Sequence, residues 1–255
     1  MWFLGSSTTY GEGQRDGYTI ASQVARLAEA ARLPVRVRNF GQRGWVHFQE
    51  MLLYEQLLAD EPTPAFSVFI DGANEVAAQA IADEDVPTHL LAPDYATRLA
   101  GVGTGAEGPI DAPDGPNAAL RVWRAYRSES LTASVVGWIS GAPAGAEPDD
   151  AFGLEENGRS ALAVYERGRA LTLALSRDHK VVPLFVWQPF EIDVASLRYV
   201  RQHLSAPTVD IADALDGHEE DFIDPIHTNE SGARRVAQAI WRELRPQVEQ
   251  WYAER

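Results

Sequence analysis

The chain has 255 residues, 45% of them hydrophobic, with 22 basic against 37 acidic residues and a formal charge of −15. That charge argues against nucleic acid and anionic membrane surfaces as main partners, since both repel an acidic protein. Cysteine is absent and lysine occurs once, as Lys180 far from any glycine-rich turn, which excludes disulfides, thiol catalysis and Cys-ligated zinc and disfavours Schiff-base or phosphate-loop chemistry.

Taken in chain order, apolar runs alternate with helical patterns. Trp2-Phe3-Leu4 reads as a strand. Residues 17–33 follow, with Ile20, Val24, Leu27, Ala28 and Ala31 at helical spacing, and Pro34 ends that helix. Residues 35–40 (VRVRNF) read as a second strand, 46–59 as an amphipathic helix, and 65–71 (AFSVFID) as a third strand. The alternation resumes with a helix over 156–177, a buried strand over 180–187, a helix over 193–203, a short strand over 208–211 and a terminal helix over 228–251. Alternating strand and helix predicts an α/β fold, a mainly parallel sheet covered on both faces.

Between about 82 and 155 the pattern lapses. Two stretches rich in glycine, proline and acid (101–117 and 141–150) flank a helical pattern that includes Trp123 and Tyr126, with Trp138 and Phe152 further on. The region reads as an insertion or lid on a single domain spanning 1–255, or as a mobile surface excursion. No stretch of 18 apolar residues exists, so no transmembrane helix is expected. No signal peptide is visible, and residue 1 already lies in the first strand. Two localisations stay open: a soluble cytoplasmic chain, or an extracytoplasmic one whose leading segment was trimmed.

In an open parallel sheet, ligands bind at the carboxyl ends of strands, so the residues after each strand carry the functional argument. Strand one runs into Gly5-Ser6-Ser7-Thr8-Thr9-Tyr10-Gly11. No Gly-Lys-Ser/Thr follows, so this is not a P-loop, and Asp16 breaks the dinucleotide fingerprint begun by Gly11 and Gly13. Its hydroxyls are either helix caps or a nucleophile. After strand two, Gly44 is a turn glycine or an unobstructed backbone donor. After strand three, Asn74 is a turn or cap residue, or a side-chain donor to developing negative charge. Near the C-terminus, Asp224 and His227 stand three apart, a spacing at which a tight turn points both side chains the same way. A carboxylate can then hold Nδ1–H and leave Nε2 as a base. The other histidines (47, 89, 179, 203 and 218) lack such a partner followed by a helix, and no H-x-x-x-H or H-E-x-x-H pair is present. A metal site is therefore not expected.

These blocks together resemble those of the SGNH hydrolases, the GDSL-like lipases and acylhydrolases. The family's Gly-Asp-Ser-x-Thr-x-Gly is similar to residues 5–11, its Asn with Gly five residues later to Asn39 and Gly44, its Gly-x-Asn to Gly72-Ala73-Asn74, and its Asp-x-x-His to Asp224 and His227. The order and wide spacing of the blocks also match. One position departs: Ser6 stands where the family has Asp. Spacing to Thr9 and Gly11 selects Ser7 as nucleophile and leaves Ser6 as a loop-stabilising hydroxyl.

The resemblance implies a three-layer α/β/α sandwich around a flavodoxin-like five-stranded sheet. It implies a triad of Ser7, His227 and Asp224, with an oxyanion hole made by the Ser7 and Gly44 backbone N–H groups and the Asn74 amide. The expected activity is hydrolysis of a small-molecule carboxylic ester, acyl or acetyl, without cofactor or metal. An acyltransferase with the same residues and an inactive binding module on the same fold are the rival readings. Trp45, beside Gly44, is a candidate pocket residue. Arg15 and Arg43 are candidates for meeting an anionic substrate group, or are solvated surface arginines.

Overall fold

The structure is a computed structural model describing residues 1–81, 85–90, 92 and 153–255. Among these, strands β1 (Trp2–Gly5), β2 (Arg38–Asn39), β3 (Phe66–Asp71), β4 (Val182–Trp187) and β5 (Thr208–Asp210) form one sheet in the order β2-β1-β3-β4-β5. Each neighbouring pair is parallel. The helices are α1 (Ser7–Tyr10), α2 (Ile20–Ala30), α3 (His47–Asp60), α4 (Ala73–Ala80), α5 (Glu155–Asp178), α6 (Ala195–His203) and α7 (Glu230–Ala253).

Side-chain alternation along the central strands explains the layers. Phe3, Val68, Ile70, Leu184 and Val186 point to one face, where they pack with Ile20 and Val24 of α2 and Val236, Ile240 and Leu244 of α7. Trp2, Leu4, Phe69 and Phe185 point to the other face, against Tyr54 and Leu58 of α3. Trp187 lies among Ala73 and Val76 of α4, Ala161 of α5 and Leu197 and Val200 of α6. Burial on both faces accounts for the continuous apolar runs in β1, β3 and β4. This is the α/β sandwich expected from the sequence.

Two helices begin with the caps their sequences offer. The Thr19 hydroxyl accepts from Ser22 N–H at 3.3 Å, and the Asn229 side-chain Oδ1 accepts from Ser231 and Gly232 N–H at 2.8 and 3.0 Å. Each cap satisfies donors that no helical carbonyl can reach.

Strand order reverses at β1, which has β2 on one side and β3 on the other. That reversal opens a crevice beyond the carboxyl ends of β1 and β3. The segments after these two strands, residues 5–11 and 72–75, therefore lie side by side. Nearly all of the expected insertion lies outside the described residues, including Trp123, Tyr126, Trp138 and Phe152. No described helix is long and apolar enough to cross a membrane.

Candidate active site

The loop after β1 turns sharply into α1, and Gly5 makes the turn possible. A Cβ on Gly5 would lie 2.0 Å from Thr9 Oγ1 and 2.9 Å from the Ile70 carbonyl oxygen. Ser7 is the first residue of α1, so its N–H points out of the helix without an intrahelical acceptor. Ser6, at the N-cap position, makes no side-chain capping bond. The hydroxyls of this loop therefore do not cap α1, and the loop-stabilising bond expected of Ser6 takes no capping form.

Ser7 Oγ lies 2.7 Å from His227 Nε2, and His227 Nδ1 lies 2.8 and 2.9 Å from the two Asp224 oxygens. Asp224 Oδ1 also accepts from the backbone N–H groups of Ile226 and His227, at 2.9 and 2.8 Å. Burial alone would raise the Asp224 carboxyl. Its bonds to the His227 ring and to these two N–H groups outweigh burial and hold it below the ordinary value of 3.8. An ionised carboxylate only accepts, so the neutral imidazole carries its proton on Nδ1. The Nε2 lone pair then faces the Ser7 hydroxyl, which donates to it. His227 is 2% exposed, so little water competes for that lone pair.

The loop carrying His227 is itself anchored. Ile223 N–H donates to the His227 carbonyl at 2.9 Å, and the Gln14 amide donates to the Thr228 carbonyl at 2.9 Å. The first loop of the chain thus grips the start of α7 beside the Ser7–His227 contact.

Gly44 takes a left-handed φ of 72°, and its N–H meets no acceptor among the described residues. Its loop is tied to the Ser7 loop twice. Gln42 N–H donates to the Gly5 carbonyl at 2.9 Å, and Asn39 Nδ2 donates to the Thr9 carbonyl at 2.6 Å while its own carbonyl accepts from Gly41 N–H. Gly41 permits this closeness, because a Cβ there would lie 2.2 Å from Tyr10 N and 2.6 Å from Thr9 C. Backbone atoms cannot rotate away as a side chain can. Gly41→Ala should therefore prise the loop from α1 and cost about 1–3 kcal/mol of stability, as overpacked sites do. Urea unfolding of the variant beside the parent measures it.

Asn74 is 6% exposed, and its Nδ2 donates to the Trp45 carbonyl at 3.0 Å. An amide nitrogen carries two hydrogens, so one remains for a ligand. Trp45 itself is half-buried next to Gly44. The structure thus bonds Ser7, His227 and Asp224 in a line and ties the Gly44 and Asn74 segments to each other. Arg15 and Arg43 are otherwise engaged: Arg15 pairs with Glu230 at 2.7 Å and Arg43 with Glu12 at 2.8 Å.

One buried residue beside the site escaped the sequence reading. Glu75 follows Asn74 and is 6% exposed. Its carboxylate accepts from Gly72 N–H at 2.8 Å and from His47 N–H at 3.0 Å, clamping the start of α4 to the start of α3. An acidic residue three positions after Gly72 was the available signal, since N3 is where a capping-box acid sits. Among the described residues, two groups have ligand atoms close enough to hold a cation: His47, Glu50 and Asp71, and separately His218, Glu220 and Asp221.

No protein-family model matches the chain, and no curated protein matches it in sequence. Solved structures do. The chain is similar to the lipase Lip_vut3 from a goat rumen metagenome, at 13% identity and a TM-score of 0.52, covering 94% of both chains. It is also similar to a protein of the G-D-S-L lipolytic family from Desulfitobacterium hafniense DCB-2, at 9% identity and a TM-score of 0.51, covering 94% of this chain and 97% of the other. At such identities the likeness is one of architecture, the α/β fold that the chain shares with these two proteins.

Proposed function

We propose that the protein is a serine hydrolase that cleaves a carboxylic ester, acyl or acetyl, through an acyl-enzyme on Ser7. The observation that carries this reading is the line Ser7 Oγ–His227 Nε2 at 2.7 Å with Asp224 on the far nitrogen. Such an arrangement activates a hydroxyl toward a carbonyl carbon.

Ser7 Oγ attacks the ester carbonyl while its proton passes to His227 Nε2. The carbonyl oxygen becomes an oxyanion, bound by the Ser7 and Gly44 N–H groups and by the free Asn74 N–H. The carbon–oxygen bond to the alcohol breaks, and His227 returns the proton to the departing oxygen. Water then attacks the acyl-serine, giving its proton to His227, and Ser7 regains a proton as the acid leaves. Asp224 stays ionised throughout and stabilises the imidazolium. The lipolytic neighbours lend support at the level of fold.

Asn74→Ala removes one oxyanion donor, and kcat should fall by about 10²–10³-fold, equivalent to roughly 2.7–4 kcal/mol of barrier. It also frees the partly buried Trp45 carbonyl, so melting should drop by an amount matching about 1 kcal/mol. Steady-state kinetics beside a thermal melt separate the two effects. A panel of p-nitrophenyl esters of graded acyl length tests the reading as a whole. Turnover of at least one ester supports it. A folded protein that hydrolyses none and takes no fluorophosphonate label overturns it.

A further inference from the structure

Beneath the oxyanion loops lies a dry cluster that the chemistry above does not use. It comprises His47 and Glu50 on α3, Asp71 at the end of β3 and Glu75 on α4, exposed by 1%, 1%, 2% and 6%. The His47, Glu50 and Asp71 ligand atoms lie within 4.8 Å of one another. Thr172 and Tyr165 of α5 face the cluster, with Thr172 Oγ1 3.1 Å from His47 Nε2 and the Tyr165 ring edge-on to the imidazole. Among the described residues, the basic partner of these carboxyls is His47, whose Nδ1 lies 3.1 Å from Asp71 Oδ2; no arginine or lysine pairs with them.

Counted as ionised groups, the carboxyls do not balance. Glu75 is served by two backbone N–H groups, but both Glu50 oxygens and Asp71 Oδ1 find no donor. Carboxylates only accept, so two of them side by side leave buried lone pairs facing each other. A missing donor between two acceptors is met by a proton or by a cation. The neighbouring cavity, lined by His47, Glu75 and Tyr165 among others, measures about 10 Å³ and is not lined by Glu50 or Asp71.

We propose that Glu50 and Asp71 share one proton, and that this carboxyl pair is a strut positioning the oxyanion donors Gly44 and Asn74. The positioning half rests on the reading of Ser7 as nucleophile. The strut ends where the donors begin. Asp71 precedes Gly72, His47 follows Gly44 by three residues, and Asn74 bonds the Trp45 carbonyl. Losing the pair removes one tie between the segments at 44–47 and 71–75 and leaves the Glu75 clamp and the Asn74–Trp45 bond to hold them alone. A displacement of about 1 Å at such a distance costs on the order of 10²-fold in rate. Glu50 is thus a positioning residue that touches no substrate.

The proton has a signature independent of activity. Burial first, then the charges of Asp71 and Glu75, push the Glu50 carboxyl well above the ordinary 4.5. The folded state then binds a proton that the unfolded state releases, so this group's contribution to stability falls as pH rises above the ordinary glutamate value. Glutamine supplies the donor without a proton. The melting temperature of Glu50→Gln relative to the parent should therefore climb as pH rises above 4.5. A protonated-carboxyl infrared band at pH above the ordinary glutamate value should be present in the parent and weaker in the variant, where any contribution from Glu75 remains. Glu50→Ala should lose about 10²-fold in kcat at unchanged KM, with Glu50→Gln close to the parent.

Parallel melting profiles for parent and Glu50→Gln would overturn the shared proton. So would one equivalent of divalent metal in protein purified without chelator, removed by EDTA with a fall in melting temperature. A folded Glu50→Ala with parental kcat overturns the positioning role. If the parent itself hydrolyses no ester, the serine-hydrolase reading fails, while the melting and infrared measurements still decide the proton.

Discussion

Ser7→Ala should lose fluorophosphonate labelling completely and cut ester turnover by about 10⁶-fold, the scale on which serine-triad enzymes respond to loss of their nucleophile. Removing one oxygen from a 6%-exposed side chain leaves the loop backbone untouched, so the variant should melt close to the parent. Ser6→Ala is the matched control. Ser6 makes no capping bond, and the imidazole line runs to Ser7, so its loss should leave labelling within a few-fold. Labelling that survives at Ser7→Ala and disappears at Ser6→Ala would reverse the assignment of the nucleophile.

Asp224→Asn should cost about 10⁴-fold in kcat without unfolding the protein. The geometry says why. Asp224 Oδ1 accepts from the backbone N–H groups of Ile226 and His227, and an asparagine carbonyl in that place continues to do so. The asparagine amide then occupies the Oδ2 position, 2.8 Å from His227 Nδ1. An amide N–H there donates to Nδ1 and forces the ring proton onto Nε2, which turns a donor rather than a lone pair toward Ser7. The expected signature is slow labelling with an unchanged melt. Wild-type kinetics from a folded Asp224→Asn would exclude the triad reading.

Long periodic elements were legible before the structure was. The helices over 156–177 and 228–251 match Glu155–Asp178 and Glu230–Ala253 to within two residues, because each carries a regular apolar stripe. The six-residue run VRVRNF, in contrast, pairs only at Arg38 and Asn39. It is the sheet's edge, where short strands are the rule and tertiary pairing rather than pattern sets the length. Helix α4 was missed for the opposite reason. Ala73 to Gln79 are all buried, so the helix shows no polar face for periodicity to contrast with.

At the site, Ser7, Gly44, Asn74, Asp224 and His227 were singled out from their spacing and order. The His47–Asp71 contact and the Glu75 clamp were not, since residues 24 and 28 apart come together only through the packing of α3 against β3 and α4. The sequence read His47 as one histidine among several without a partner. Its partner lies on another element, and no local rule of spacing reaches that far.

The Ser7–His227 hydrogen bond joins residues 220 positions apart. A chain made N-terminus first therefore presents Ser7 without its imidazole partner until residue 227 has been added. That contact needs the loop before α7 in place, and α7 packs against α2 in the core that seats the loop. On the serine-hydrolase reading, a serine-directed probe added during refolding should label only molecules in which that contact has formed.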